Sequence, residues 1–94
     1  MLLARTTPRE QCRKSTDGLS LFFTDLDPDH VEVREIPKMG RAAVDSNMVF
    51  IDTLPVPREH LIGEPGRGFE YILHGLNPER ILVGVEALGI GWQA

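Results

Sequence analysis

Apolar and polar positions follow a two-residue rhythm through the middle of the chain and change to a helical rhythm near its end. "GLSLFFTDLD" (18–27) is an apolar run rich in Phe and Leu, with Asp17-Gly18 before it and the breaker cluster Asp27-Pro28-Asp29 after it. "HVEVREI" (30–36) alternates through Val31 and Val33 until Pro37 stops it, which predicts a strand with one wet face. "NMVFIDTLPV" (47–56) is a third β-rich run, and Pro55 and Pro57 confine its end to a sheet edge or exit. Between the runs lie the turn-rich stretches "PKMGRAAVDS" and "VPREHLIGEPGRG". At least three strands with short connections predict a piece of an antiparallel sandwich or barrel.

The rhythm changes after the loop carrying Gly63, Gly66 and Gly68. "FEYILHGL" predicts a short helix, and Asn77 as cap with Pro78 at the first helical position predicts a second or renewed one. Ile81, Val85, Leu88 and Trp92 share one side of it at steps of four, three and four. Leu82, Val83, Ala87 and Ile90 widen that side until little is left for water, while Gly84, Gly89 and Gly91 weaken the helix unless neighbours pack close to its backbone. A helix apolar nearly all round belongs inside a bundle. Nothing else in the chain predicts further helices, so the expectation is a truncated chain whose last helix packs poorly or projects. The predicted class is mainly β with C-terminal α: a partial antiparallel β-barrel or sandwich followed by the start of a helical bundle. Internal repeats, low-complexity tracts and long linkers are absent from the sequence.

Ninety-four residues suit one small domain, and a chain of this size buries only ~60–65% of its unfolded surface. An apolar fraction of 41% places it among globular rather than disordered sequences. Ten basic against 14 acidic residues give a net charge of −4, with no basic stripe. Nucleic acid is therefore disfavoured as a partner. The single cysteine, Cys12, has no internal disulfide partner and reads as a bystander thiol in a reducing compartment. No stretch reaches the ~18 apolar residues that a membrane helix needs, and "MLLARTTPRE" is too quickly charged for a signal peptide. The expectation is a soluble intracellular protein: cytoplasmic in a bacterium, mitochondrial or peroxisomal in a eukaryote.

Candidate chemistry is sparse. His30, His60 and His74 stand singly, without metal-ligand spacing to any Cys, Asp or Glu, so no metal is expected. No nucleophile elbow is present. The glycines of "GEPGRG" come in the wrong order for a dinucleotide fingerprint and read as a plain turn rather than a phosphate cradle. Glu79 is the sharper possibility, because a carboxylate at the start of a buried helix can act as a general base where water is excluded. From position alone the simpler reading is favoured, a carboxylate that complements the helix dipole. Arg80 beside it is either an anchor for an anion or an ion-pair partner. Glu86, two turns further along the same side, needs a partner if buried.

Taken together, "LLART", "DGLSLFFTDLD" and "KMGRAAVDSNMVFIDTLPVPREHLIGEPGRGFEYILHGLNPERILVGVEALGIGWQA" resemble the acyl-CoA dehydrogenase family. The most specific parts are the Met39-Gly40 turn at its fixed distance from Val49-Phe50, the "VPREHLIGEPGRGF" crossing and "ERILVGVEALGIG"; "TTPREQCRKST" matches poorly. The resemblance implies that residues 1–62 correspond to the latter part of the middle β-domain. Residues 63–94 then correspond to the crossing loop and the first helix of the C-terminal helical domain. Family members are FAD-dependent flavoproteins, usually tetramers, that remove hydrogens from the α and β carbons of an acyl-CoA thioester and pass electrons to an electron-accepting flavoprotein. In the subgroup similar to the isovaleryl and long-chain enzymes, a glutamate within a Glu-Arg pair on that helix takes the α-proton. Glu79 matches this catalytic position and Arg80 the substrate-site arginine. The flavin-holding strands and the other bundle helices have no counterpart in the sequence, so no cofactor-binding residue is assigned and the chain alone is expected to be inactive. An acyl-CoA oxidase relative would share these residues. The alternative, from another class, is a non-catalytic β-module that binds a partner protein through open sheet edges.

Overall fold

The computed structural model describes residues 1–94 and contains five strands, β1 (Leu2–Arg5), β2 (Leu19–Phe22), β3 (Val31–Glu35), β4 (Asn47–Ile51) and β5 (Leu61–Ile62), followed by one helix, α1 (Gly68–Gln93). The predicted class is observed: small antiparallel sheets with a C-terminal helix, and no closed barrel. The chain divides into two compact units, one made of residues 1–23 with 58–94 and the other of residues 24–57.

In the first unit β2 is the central strand, antiparallel to β1 on one side and β5 on the other. Leu2 pairs with Phe22 and Arg5 with Leu19 across β1–β2, and Phe22 pairs with Leu61 across β2–β5. Leu21 is buried within β2, and so is the polar Ser20. Ser20 survives burial because its hydroxyl is fully used: Oγ lies 2.6 Å from Thr6 Oγ1 and accepts the Gly66 N–H at 2.8 Å. A buried hydroxyl without such partners would cost about 1–3 kcal/mol. Gly18 closes the turn before β2 in the left-handed region (φ 72), and its N–H donates to Gly66 C=O at 3.1 Å. Strand β2 thus anchors both the chain start and the glycine loop that leads to α1.

The second unit is a hairpin of β3 and β4, with Val31 opposite Ile51, Val33 opposite Val49 and Glu35 opposite Asn47. The pleat puts Val31, Val33, Val49 and Ile51 on one face and Glu32, Arg34, Met48 and Phe50 on the other. On the latter, Arg34 pairs with Glu32 at 2.6 Å and lies 4.8 Å from the Phe50 ring centroid. The sequence pattern called for one wet face, but water reaches both. Val31 is buried, while Val33 is 52% and Val49 43% exposed, because two strands alone give the valine face nothing to pack upon. The predicted turns are in place. Asp27 Oδ1 accepts the Asp29 N–H at 3.0 Å, and the β3–β4 connection passes through left-handed Gly40 and Arg41. That connection is held by Lys38 Nζ, which donates to the carbonyls of Arg41 and Val44.

Two elements differ from the expectation. Strands β1 and β5 were unforeseen, since four and two residues give too little alternation to register. The two predicted helices are one: α1 runs unbroken from Gly68 to Gln93 with Pro78 inside it, so Asn77 is no cap. Pro78 deletes a single bond, from its own missing N–H to the His74 carbonyl. His74 is exposed, so water can take that carbonyl and the break signal is overridden.

Candidate functional site

Helix α1 carries both residues singled out for chemistry, and its first turns explain how it is held. Gly68 is buried where α1 crosses β2; a Cβ there would stand 2.5 Å from Ser20 C and collide with the Leu21 amide nitrogen. Only glycine allows that approach. Phe69, Ile72, Leu73 and Leu76 follow at one, four, five and eight residues, half-buried on one side of the helix, which packs on β2. Tyr71 covers the space a Gly63 side chain would fill, and its hydroxyl accepts the Glu64 N–H at 3.2 Å. Arg67 bridges Glu64 at 3.0 Å and Glu70 at 2.9 Å, and these two carboxylates, Glu64 foremost, hold its guanidinium pKa above the usual arginine value.

Beyond Leu76 the helix leaves its support. Every residue from Asn77 to Ala94 is exposed, including Ile81, Leu82, Val85, Leu88 and Trp92, the last at 89%. Glu79 and Arg80 sit at the start of this stretch. Arg80 Nη1 donates to Asn77 Oδ1 at 3.3 Å, so the predicted cap residue serves as a partner for the arginine instead. Glu79 forms no hydrogen bond or ion pair within the chain and stands in open water. Glu86 is exposed as well, so burial does not oblige it to find a partner. Glu79 and Arg80 are consecutive on α1 and their side chains do not face each other; an apolar helix surface follows them, and the structure encloses neither. A cleft of about 480 Å³ lies in the hairpin unit, lined by residues 28–32 and 49–52, and contains neither residue.

The glycine loop offers nothing for a flavin. The Gly66 amide is used by Ser20, and Gly68 is pressed against the β2 backbone, so no concavity remains for a pyrophosphate. Gly63 and Gly66 take left-handed φ values of 69 and 81, as a tight turn requires. The loop is structural, as its glycine order implied. These residues do not fit the cofactor. No group of three or more His, Cys, Asp and Glu side chains converges on a possible metal position.

Comparison with characterised proteins decides the family. The chain is 32% identical to cyclohex-1-ene-1-carbonyl-CoA dehydrogenase of Syntrophus aciditrophicus over 82% of its length. It is 30% identical to the mitochondrial long-chain specific acyl-CoA dehydrogenase of Mus musculus over 94%, and 33% identical to the short-chain enzyme of Rattus norvegicus over 82%. The chain belongs to the acyl-CoA dehydrogenase family. It spans about a fifth of the length of these relatives, 19%, 20% and 19% respectively. No family model and no solved structure matches it. The acyl-CoA dehydrogenase match to the mouse protein covers so much of the chain that it takes in the glycine loop and the opening of α1. No helix of the structure, α1 included, is long and apolar enough to cross a membrane.

Proposed function

We propose that these residues form part of an FAD-dependent acyl-CoA dehydrogenase acting on a fatty or branched-chain acyl-CoA thioester. In this reading Glu79 takes the α-proton of the substrate and Arg80 holds the substrate beside it. Residues 1–62 supply the end of the middle β-domain, and residues 63–94 the crossing and first helix of the helical domain. The observation that carries the reading is the similarity over 94% of the chain to an enzyme named for this chemistry, a stretch that includes the Glu79-Arg80 pair.

The physical logic is consistent with the helix. A general base is most effective when its pKa approaches the operating pH, which for a carboxylate requires a dry, apolar surrounding. Ile81, Leu82, Val85 and Leu88 follow Glu79 directly and are the residues that could dry such a site and contact an acyl chain. In the chain by itself they face water, and the flavin that the relatives imply has no cradle here. The chain alone therefore does not catalyse. Electron transfer to a partner flavoprotein and tetramer formation belong to the larger assembly.

Two measurements test this. Incubating the purified chain with FAD, with and without an acyl-CoA, should leave the flavin spectrum that of free FAD; bound flavin that bleaches with substrate overturns the claim of inactivity. Grafting the 94 residues in place of the matching stretch of the mouse long-chain enzyme, the subgroup in which the base is expected on this helix, tests Glu79 itself. Glu79→Gln in that chimera should lower kcat by about 10²–10⁴-fold. An active chimera indifferent to Glu79→Gln places the base elsewhere.

A further inference from the structure

The start of α1 is docked on β2 in a fixed register. Gly66 is gripped at both of its backbone groups: its N–H donates to Ser20 Oγ at 2.8 Å, and its C=O accepts the Gly18 N–H at 3.1 Å. Leu19 and Arg67 form a parallel bridge beside it. Gly68 then meets the Ser20 and Leu21 backbone so closely that no side chain fits between them. Residues 66 to 68 thus lie along residues 18 to 21. Ser20, fully buried, also ties this seat to the end of β1 through Thr6 Oγ1 at 2.6 Å.

The helix carries that register forward, since α1 is unbroken from Gly68 to Gln93. Eleven residues of α-helix make three turns with only about 20° left over. Glu79 therefore returns to the side of the axis held by Gly68, and Arg80 to the side held by Phe69. Gly68, Ile72, Gly75 and Glu79 form one row along α1. Phe69, Leu73, Leu76 and Arg80 form the next. Phe69, Ile72, Leu73 and Leu76 are half-buried where the helix packs on β2. Glu79 and Arg80 are thus the next members of the two rows that dock on the strand, about 16 Å along the axis from the seat.

We propose that Ser20 and Gly68 are positioning residues for proton abstraction: by fixing the place and rotation at which α1 leaves β2, they fix where Glu79 and Arg80 stand. This rests on the reading of Glu79 as the base. Neither residue reaches the reacting atoms; both act through the helix. A general base works only within hydrogen-bond reach of its proton, and a misplacement of about 1 Å from a distant change can cost about 10²-fold in rate. An alanine at position 68 forces a shift of that size, because its Cβ would stand 2.5 Å from Ser20 C where ordinary contact begins at 3.4 Å. Ser20→Ala is milder: it releases the Gly66 N–H and leaves the Gly18 bond in place.

The test has a geometric and a kinetic arm. Residual dipolar couplings of the 94-residue chain give the axis and rotation of residues 69–80 relative to β1 and β2. These should shift in Gly68→Ala and in Ser20→Ala. They should stay in Leu3→Ala, which weakens the β1–β2 pairing away from the seat. In the mouse long-chain chimera, kcat per bound flavin should fall about 10²-fold in Gly68→Ala and about tenfold in Ser20→Ala, and by more than KM rises. Leu3→Ala should leave it unchanged. On a Glu79→Gln background either seat variant should cost less than about twofold more, since a displaced base cannot be lost twice. Couplings unmoved in both seat variants overturn the proposal. So do equal losses with and without Glu79, the pattern of plain loss of structure. A chimera inactivated by Glu79→Gln but by neither seat variant overturns this proposal alone, whereas one indifferent to Glu79→Gln overturns the base assignment and this proposal with it.

Discussion

The packed start of α1 and its exposed second half should respond with opposite sign to the same substitution. At Gly68 an alanine Cβ would stand 2.5 Å from Ser20 C and 2.8 Å from Ser20 Cα, and it would collide with the Leu21 amide. Ordinary van der Waals contact begins at 3.4 Å, so helix and strand must separate by roughly 1 Å. The obstacles are backbone atoms of the central strand and cannot rotate away. Overpacking of this kind costs about 1–3 kcal/mol, and the better helix propensity of alanine returns at most about 1 kcal/mol. Gly68→Ala should therefore be destabilising. At Gly84 nothing lies within 4 Å of the added carbon. Only the propensity acts there, and Gly84→Ala should stabilise by up to about 1 kcal/mol. For a domain of this size each kcal/mol moves Tm by roughly 4–8 °C. Thermal and urea melts followed at 222 nm should bracket the wild type, with Gly68→Ala below and Gly84→Ala above. A Gly68→Ala chain that melts at or above the wild type would refute the claim that this crossing excludes a side chain.

Two further substitutions probe the polar and helical accounts. Ser20→Ala strips the Gly66 amide of its acceptor and should cost about 1–3 kcal/mol in urea unfolding; an unchanged midpoint would mean that water replaces the hydroxyl. Pro78→Ala restores an N–H to the His74 carbonyl, so amide exchange around residues 74–82 should slow, by a factor consistent with no more than about 3 kcal/mol. Faster exchange there would contradict the reading of Pro78 as the weak point of α1.

The hairpin was legible in the sequence because alternation, Pro37 and the Gly40 turn agree with one another across "HVEVREI" and "NMVFI". Strands β1 and β5 were not, because their identity comes from pairing with β2 rather than from their own few residues. The break expected at Asn77-Pro78 followed sound local rules that lost to helical propensity on both sides and to a solvated carbonyl. Ser20 hid within an apolar run; its partners lie 14 and 46 residues away, a distance no local pattern can report. The apolar character of α1 was plain from the chain, and so was its lack of a partner within it. Position made Glu79 and Arg80 candidates, but only the resemblance favoured a catalytic pair over a complement to the helix dipole.

The division of the chain has a kinetic corollary. The first unit is discontinuous, and its β2–β5 pairing joins Phe22 to Leu61 only after residues 24–57 have been looped out. Closing that loop is an entropic step that must precede the reward from the sheet, so it should slow folding of the first unit. The same logarithmic law makes the length of the excursion thermodynamically cheap, since doubling it would cost only about 0.6 kcal/mol. Residues 24–57 can therefore lengthen, shorten or diverge over evolutionary time with little effect on the stability of the sheet that carries α1.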